Sequence, residues 1–204
     1  MKKKKILALV LARKNSTRLK NKNILSLRNK PLVSWTFDFL KIKKIRQNFV
    51  DIFVSTDSIK IKNISKKYKF LSPWLRPKKI SGKYSSSETS ALHALRWYEK
   101  NIQKVDGLFL FQPTSPFRDV KKVITAINLY TKNNKQVVSV CANNKKKFKK
   151  NQINGSLYLT PIEILKKRKT FNFRGYQKIK IYNDKENLDI DTIDDFNEAK
   201  KMLS

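Results

Sequence analysis

The segment Ile6-Leu-Ala-Leu-Val-Leu-Ala12 is an unbroken apolar run close to the start of the chain. A strand that is apolar at every position, and not at every second one, is buried on both faces, which is typical of a parallel sheet covered by helices. Outward from this run, strand-like segments alternate with amphipathic helical ones. The strand-like segments are 49–54, 107–111, 136–141, 155–159 and 178–182, and the helical ones include 32–40, 58–68 and 89–100. This alternation predicts a three-layer α/β/α fold with a mainly parallel sheet.

Capping residues mark where three later helices begin. Asp119 has the residue type and position of an N-cap. Thr160 followed by Pro161 predicts a cap with proline at the first helical position, and Thr192 begins the last helix. The proline-containing and serine-rich segment 71–88 predicts a long loop, and long loops in compact domains are often functional.

The composition limits the class of protein. The chain has 204 residues, 40% of them hydrophobic, which suits one domain spanning residues 1–204. No apolar run reaches the roughly 18–20 residues that a membrane span needs. The single cysteine, Cys141, excludes an internal disulfide framework and a cysteine-rich zinc site. We therefore expect a cytoplasmic protein with no membrane partner.

The chain carries a formal net charge of +32, from 47 Lys and Arg residues against 15 Asp and Glu residues. Such an excess often indicates a polyanion partner. Most of these cations are lysines spread along the chain, whereas nucleic-acid contacts favour clustered arginines and aromatic strips. The composition thus disfavours nucleic acid as a partner, and a basic nucleic-acid-binding protein stays as the alternative. Nearly half of the acids lie between residues 184 and 198, where they favour a metal site.

The loop after the first predicted strand concentrates cations and short polar side chains. Arg13, Arg18 and Lys22 surround Asn15 and Ser16. The loop leaves the carboxyl end of a parallel strand, where ligands of such sheets bind, so its composition favours a phosphate site. By itself, a solvated basic loop would explain the same composition equally well.

Two further patterns carry polar groups beyond predicted strands. In Gln112-Pro-Thr-Ser-Pro-Phe-Arg118, two prolines make a rigid turn that presents Gln112 and its neighbours. In Leu188-Asp-Ile-Asp191, carboxylates at i and i+2 of an extended segment point to one face, so Asp189 and Asp191 can share a divalent cation. The alternative makes Asp191 a helix N-cap and Asp189 merely an exposed residue.

Together and in this order, the three patterns resemble the CMP-N-acylneuraminate synthetase family, the cytidylyltransferases that activate sialic acid and related nonulosonic acids. The resemblance spans nearly the whole chain and implies a Rossmann-like nucleotidyltransferase. Its other anchors are Val54-Ser-Thr-Asp57, Leu75-Arg-Pro77, His93-Ala-Leu95, and Asn154-Gly155 followed by Tyr158. Ser16-Thr-Arg-Leu19 is also similar to the 3-deoxy-manno-octulosonate cytidylyltransferases, which are the alternative within this fold.

The resemblance implies an enzyme that transfers CMP from CTP to the anomeric hydroxyl of an acidic sugar and releases pyrophosphate. It implies Mg²⁺ on Asp189 and Asp191, and a sugar beside Gln112, Asn154 and Tyr158. The residues that it places on the nucleotide are the catalytic Arg13 and Lys22, at the phosphates, with Asn15, Ser16, Arg18, Asn23, Arg76, Ser86 and Gln112. Cations opposite a carboxylate-bound metal suffice for phosphoryl-type transfer, which is mostly positioning and charge neutralisation. His93 lies on an apolar helical face and is expected to be packed, so no general base is assigned.

The sequence departs from the family pattern in two places. The first loop has no glycine, so Asn15 is the residue expected to adopt a left-handed conformation, and Arg18 stands in for a lysine. Only residues 142–153 separate Cys141 from Asn154, where the family has a much longer insertion with a dimer-forming arm. This reduced arm predicts a monomer or a weak homodimer.

Overall fold

The computed structural model describes residues 3–145, 147–172 and 174–203. The strands are β1 (Ile6–Leu11), β2 (Ser26–Leu27), β3 (Lys30–Pro31), β4 (Asp51–Ser55), β5 (Gly107–Phe111), β6 (Val137–Cys141), β7 (Ile153–Pro161) and β8 (Gln177–Ile181). The α-helices are α1 (Leu32–Lys41), α2 (Lys43–Arg46), α3 (Ile59–Lys67), α4 (Ser87–Asn101), α5 (Val120–Asn133), α6 (Ile162–Arg168), α7 (Asp184–Asn187) and α8 (Ile193–Lys201). Short 3₁₀ helices lie at Lys22–Ile24 and Lys78–Ile80.

The described residues form a six-stranded sheet in the order β4-β1-β5-β7-β6-β8, and β2 and β3 pair in a separate ribbon. Every strand of the large sheet runs in one direction except β7, which is antiparallel to both β5 and β6. The segment between β6 and β7 is too short for a crossover to a parallel strand, so the chain turns back as a hairpin. The predicted mainly parallel sheet is confirmed.

Helices cover both faces of this sheet. Leu7 and Leu9 of β1 pack in a cluster with residues of α4 and α6. Ala8 and Val10 point to the other face and pack with residues of α1 and α5. All four side chains are fully buried, as the continuous apolar run predicts for a strand in the middle layer. The three-layer architecture is thus confirmed.

The helix starts agree with the sequence at two of three places. The Asp119 side chain accepts a hydrogen bond from the backbone N–H of Lys122 at the start of α5. Thr192 caps α8 in a reciprocal arrangement with Asp195, so Asp191 is not the N-cap. The prediction for Thr160 is wrong. This residue lies within β7, and its hydroxyl accepts a 2.9 Å hydrogen bond from Gln136.

The strand order places the polar loops at one edge of the sheet. Because β4, β1 and β5 are parallel neighbours, the segments that follow them emerge side by side. The backbone N–H of Ala12, just after β1, donates to the carbonyl of Ser55 at the end of β4. None of the helices in residues 3–145, 147–172 and 174–203 is long and apolar enough to cross a bilayer.

Candidate active site

A cleft of about 370 Å³ lies beyond the carboxyl ends of β1 and β5. Its walls come from the loop after β1, the long loop before α4, the turn after β5 and the segment before α8. Nine residues predicted from the sequence line it: Arg13, Ser16, Lys22, Asn23, Arg76, Ser86, Gln112, Asp189 and Asp191. The fold therefore brings together residues that are distributed over almost the whole chain.

Lys22 is the most enclosed cation of the first loop. Its Nζ donates to the carbonyl of Ile190 at 2.7 Å and to the Asp191 carboxylate at 2.8 Å. The exposed Arg18 donates to the other oxygen of the same carboxylate at 2.6 Å. The phosphate-binding candidates and the metal-binding candidates are thus in direct contact.

The first loop takes its shape from backbone hydrogen bonds and one left-handed residue. Asn21 has a φ of 55°, whereas Asn15 does not have a positive φ, so the expectation for Asn15 is wrong. The left-handed turn leads into the 3₁₀ helix that carries Lys22 and Asn23. The amide of Asn23 donates to the carbonyl of Arg13, and its oxygen is buried with no hydrogen-bond partner among the described residues. Asn23 itself is one of the residues that line the cleft.

Asp57 organises the other side of the loop, a role that sequence analysis did not assign. Its carboxylate accepts from the backbone N–H of Lys14 at 2.7 Å and lies 3.7 Å from the Arg76 guanidinium. Burial lowers the pKa of Arg76, the nearby Asp57 opposes this shift and the charge of Arg13 adds to it. The Val54-Ser-Thr-Asp57 anchor carried the signal, because Asp57 follows directly after β4, whose carboxyl end lies beside that of β1.

The long loop before α4 closes the cleft. The carbonyl of Gly82 accepts a hydrogen bond from Arg13 at 3.4 Å, and the Arg76 Nε donates to Ser81 at 3.0 Å. Ser86 lines the cleft and also caps α4, where its hydroxyl accepts from the backbone N–H of Thr89. Ser81, Lys83 and Ser85 line the cleft as well, and the sequence alone had not distinguished them.

Arg118 holds the turn after β5. Its guanidinium donates to the carbonyls of Gln112 at 2.6 Å and Ser156 at 3.2 Å, and to the hydroxyl of Thr36 at 3.2 Å. Burial lowers the pKa of Arg118 to about 9. The bond to the Gln112 carbonyl fixes the backbone from which the Gln112 side chain projects toward the cleft.

Asp189 presents a vacant oxygen at the cleft. Its Oδ1 is buried and has no hydrogen-bond partner among the described residues. Burial raises the pKa of Asp189, the charge of Asp191 adds to this rise, and a hydrogen bond with Thr114 opposes it. The described residues contain no cluster of three or more His, Cys, Asp or Glu side chains that could hold a metal. A divalent cation would fit here on two carboxylates, because an orphaned carboxylate oxygen is the ligand that Mg²⁺ prefers.

The predicted sugar residues occupy two different environments. Asn154 is buried below the cleft: its oxygen accepts from Ser139 at 2.5 Å and its amide donates to Asn187 at 2.8 Å. Its side chain is therefore committed to the protein interior. Tyr158 is half-buried, and burial raises its pKa to about 12, with smaller contributions from Asp189 and Glu88. Neither Asn154 nor Tyr158 is among the residues that line the cleft.

Asn15, Arg18 and His93, which the sequence analysis also discussed, do not line the cleft. Asn15 is exposed and lines neither of the cavities beside it. Arg18 lines a second cavity of about 860 Å³ that shares Asp189 and Asp191 with the cleft. His93 packs against Trp74 with their ring centroids 4.7 Å apart, and burial lowers its pKa. The expectation of a packed His93 agrees with this position.

Known proteins resemble this chain along most of its length. The N-acylneuraminate cytidylyltransferase of Escherichia coli O18:K1:H7 is 37% identical over 145 residues, which cover 69% of this chain and 32% of that protein. The CMP-N,N'-diacetyllegionaminic acid synthase of Legionella pneumophila is 26% identical over 227 residues, covering 98% of this chain and 96% of that protein. The chain therefore spans about a third of the first relative and nearly all of the second.

A solved structure and a family profile agree with these relatives. CMP:2-keto-3-deoxy-manno-octonic acid synthetase, solved in complex with CTP, superposes with a TM-score of 0.68 at 12% identity, covering 98% of each chain. This likeness concerns the fold. The sequence profile of the family described as Cytidylyltransferase matches residues 7–203. Because that match takes in nearly every residue, this chain belongs to the cytidylyltransferase family.

Proposed function

We propose that this protein transfers CMP from CTP to the anomeric hydroxyl of a nonulosonic sugar acid. The sugar oxygen forms a bond to the α-phosphorus of CTP, the bond from that phosphorus to the β-phosphate oxygen breaks, and pyrophosphate leaves with the electron pair. The proton of the hydroxyl passes to solvent or to a base that has not been assigned. Residues 1–204 would act as one cytidylyltransferase domain.

The observation that carries this proposal is the meeting of cations and carboxylates in one cleft. Arg13, Lys22 and Arg76 line this cleft together with Asp189 and Asp191, and Lys22 contacts Asp191 directly. Phosphoryl-type transfer needs little covalent chemistry from the protein, so fixed charges at this spacing are the main requirement. The curated relatives, which are named for acylneuraminate and legionaminic acid, favour a nonulosonic acid over an octulosonate as acceptor.

Each group would have a distinct task. Arg13 and Lys22 would neutralise the phosphates, with Arg18 and Ser16 beside them. The vacant oxygen of Asn23, the buried Arg76 and Ser86 would hold the nucleoside. Gln112 and Tyr158 would face the sugar, and Asn154 would support them from below. Asn15 would lie next to the bound phosphates.

Asp189 and Asp191 would hold Mg²⁺. The vacant, buried Oδ1 of Asp189 supports this assignment, since an ionised carboxylate in that position needs a cationic partner. The bound ion would supply charge neutralisation for the phosphate oxygens. Lys22 and Arg18, which neutralise Asp191 in this structure, would contact phosphate next to it.

A pyrophosphate-release screen tests the proposal. CTP and Mg²⁺ are incubated with N-acetylneuraminic, legionaminic, pseudaminic and 3-deoxy-manno-octulosonic acids in turn, and ATP and UTP replace CTP as controls. We expect release only with CTP and a nonulosonic acid. Release that is fastest with the octulosonic acid would favour the alternative acceptor, and no release with any sugar would overturn the proposal.

A further inference from the structure

The side chain of Lys147 contacts the acid-rich segment, residues 184–198, beside the cleft. Its Nζ donates to the backbone carbonyl of Asp189 and, at 3.0 Å, to the carboxylate of Asp195. The same nitrogen is 3.8 Å from the carboxylate of Asp191. One ammonium group therefore connects both proposed metal ligands with the start of α8.

Asp195 links Lys147 to the backbone of Asp191 and Thr192. Its Oδ2 accepts hydrogen bonds from the backbone N–H groups of Asp191 at 2.8 Å and Thr192 at 2.9 Å. The oxygen that receives Lys147 is the same Oδ2. The ammonium, the carboxylate and two backbone amides thus form one continuous network around Asp191.

The segment 142–152, between β6 and β7, supplies this lysine and is held against the acid-rich segment. Phe148 is buried, and the backbone N–H of Lys145 donates to its carbonyl at 2.8 Å. The side chain of Lys145 forms a 2.5 Å ion pair with Asp184. Packing and a second ion pair therefore fix the position from which Lys147 reaches Asp189.

We infer that Lys147 is a positioning residue for the divalent-cation site, holding Asp189 and Asp191 in the arrangement that binds the ion. This inference rests on the proposed function, because it assumes that these two carboxylates bind a metal. Lys147 acts through Asp195 and the backbone of residues 189–192. The short connection between β6 and β7 thereby supports the active site of its own chain.

Whether the loss of Lys147 weakens or strengthens metal binding distinguishes a positioning role from a purely electrostatic one. If Lys147 acted only as a nearby cation, its removal would strengthen the attraction of the carboxylates for a metal ion. If it positions the carboxylates, its removal weakens binding despite that gain. Lys147→Met keeps the length of the side chain and removes only the ammonium.

Mn²⁺ binding, followed by electron paramagnetic resonance without substrates, measures this effect directly. We expect Lys147→Met to raise the Kd for Mn²⁺ at least fivefold and Lys147→Arg to recover most of the loss. Lys149→Met is the matched control, because it removes a cation from an exposed position of the same segment, and its Kd should stay within twofold of the parent. Amide exchange at Asp191 and Thr192 should also become faster in Lys147→Met without metal.

The outcomes distinguish the inference from the function on which it rests. If Asp189→Asn abolishes Mn²⁺ binding while Lys147→Met binds as tightly as the parent, or more tightly, the inference is overturned and the metal site stands. If the parent binds no Mn²⁺, or if Asp189→Asn binds it normally, the metal assignment is wrong and the inference falls with it.

Discussion

The Nζ of Lys22 lies 2.8 Å from the carboxylate of Asp191, although 169 positions separate the two residues in the sequence. The contact is largely enclosed, since the side chains are 9% and 18% exposed. A cation of the first loop is therefore neutralised by the carboxylate proposed to bind the metal. In the proposed function, CTP and a divalent cation would each take one partner of this ion pair.

CTP affinity should depend on Arg13 and Lys22. We expect Arg13→Ala and Lys22→Ala each to cost about 1.5–3 kcal/mol of binding free energy, the range of charge-assisted hydrogen bonds. Isothermal titration calorimetry with CTP measures the loss. Lys20→Ala is the control, because Lys20 is exposed on the same loop and lines neither cavity. CTP binding at parental strength by both variants would show that this loop is not the phosphate site.

Turnover should require both carboxylates of the Asp-Ile-Asp segment. We expect Asp189→Asn and Asp191→Asn to abolish pyrophosphate release and EDTA to do the same to the parent. Asp189→Asn should leave the melting temperature unchanged or raise it, because burial disfavours the charged carboxylate and its Oδ1 has no hydrogen-bond partner among the described residues. Asp191→Asn should lower it, because the ion pairs of this carboxylate with Arg18, Lys22 and Lys147 are weakened. Activity that survives EDTA would contradict the metal assignment.

Gly155 should control the position of Gln112. Gly155 has a φ of +85°, and a Cβ there would lie 3.3 Å from the Gln112 Oε1. Gly155→Ala should cost about 1–2 kcal/mol of stability from the left-handed backbone and should also raise the KM for the sugar. Gly175→Ala is the matched control, since Gly175 has a φ of +92° with no heavy atom within 4 Å. A parental KM for the sugar in Gly155→Ala would show that the position of Gln112 does not affect sugar binding.

The alkaline limit of stability should depend on Tyr130. Burial raises the pKa of Tyr130 above its usual 10, with the charges of Asp106 and Glu163 adding to the rise, and its hydroxyl has no partner among the described residues. The unfolded chain therefore loses this proton first, so the stability present below pH 10 falls as the pH rises above it. We expect the free energy of unfolding, measured with urea, to fall between pH 7 and about pH 10.5. The fall should be smaller for Tyr130→Phe than for the parent.

Tyr84→Phe is the control for this pH dependence. Tyr84 is 92% exposed, so Tyr84→Phe removes a tyrosine from the surface and leaves the buried Tyr130 in place. We expect Tyr84→Phe to lose as much stability as the parent between the two pH values. An unchanged pH dependence in Tyr130→Phe would mean that Tyr130 ionises as easily in the folded protein as in the unfolded one.

The protein should sediment as a monomer or a weak dimer. Phe148, the main apolar residue of the reduced arm, is buried within its own chain and is therefore not offered to a partner. The rest of the segment is mostly lysine and asparagine, and like charges would repel across a twofold axis. Sedimentation equilibrium at low micromolar concentration decides this. A mass of about 48 kDa, twice the 24.0 kDa of one chain, would show that another surface forms a dimer.

Local patterns in the sequence were sufficient for the layers and for nine of the residues that line the cleft. The apolar run 6–12 predicted a strand with two buried faces. A strand with apolar side chains on both faces is stable only where helices cover both sides of the sheet. Gln112 and Asp189 stood out because prolines and carboxylate spacing act over a few residues. The parallel order then placed these segments at one edge of the sheet.

The tertiary structure alone decided which polar groups face the cleft. Asn154 follows an apparently suitable pattern, yet hydrogen bonds to Ser139 and Asn187 turn it inward. Lys147 is one lysine among many in the sequence, and only the hairpin that joins β6 to β7 brings it to Asp189. A composition rich in lysine carries no local signal for such contacts. They depend on the packing of segments tens of residues apart, which no periodicity within one segment encodes.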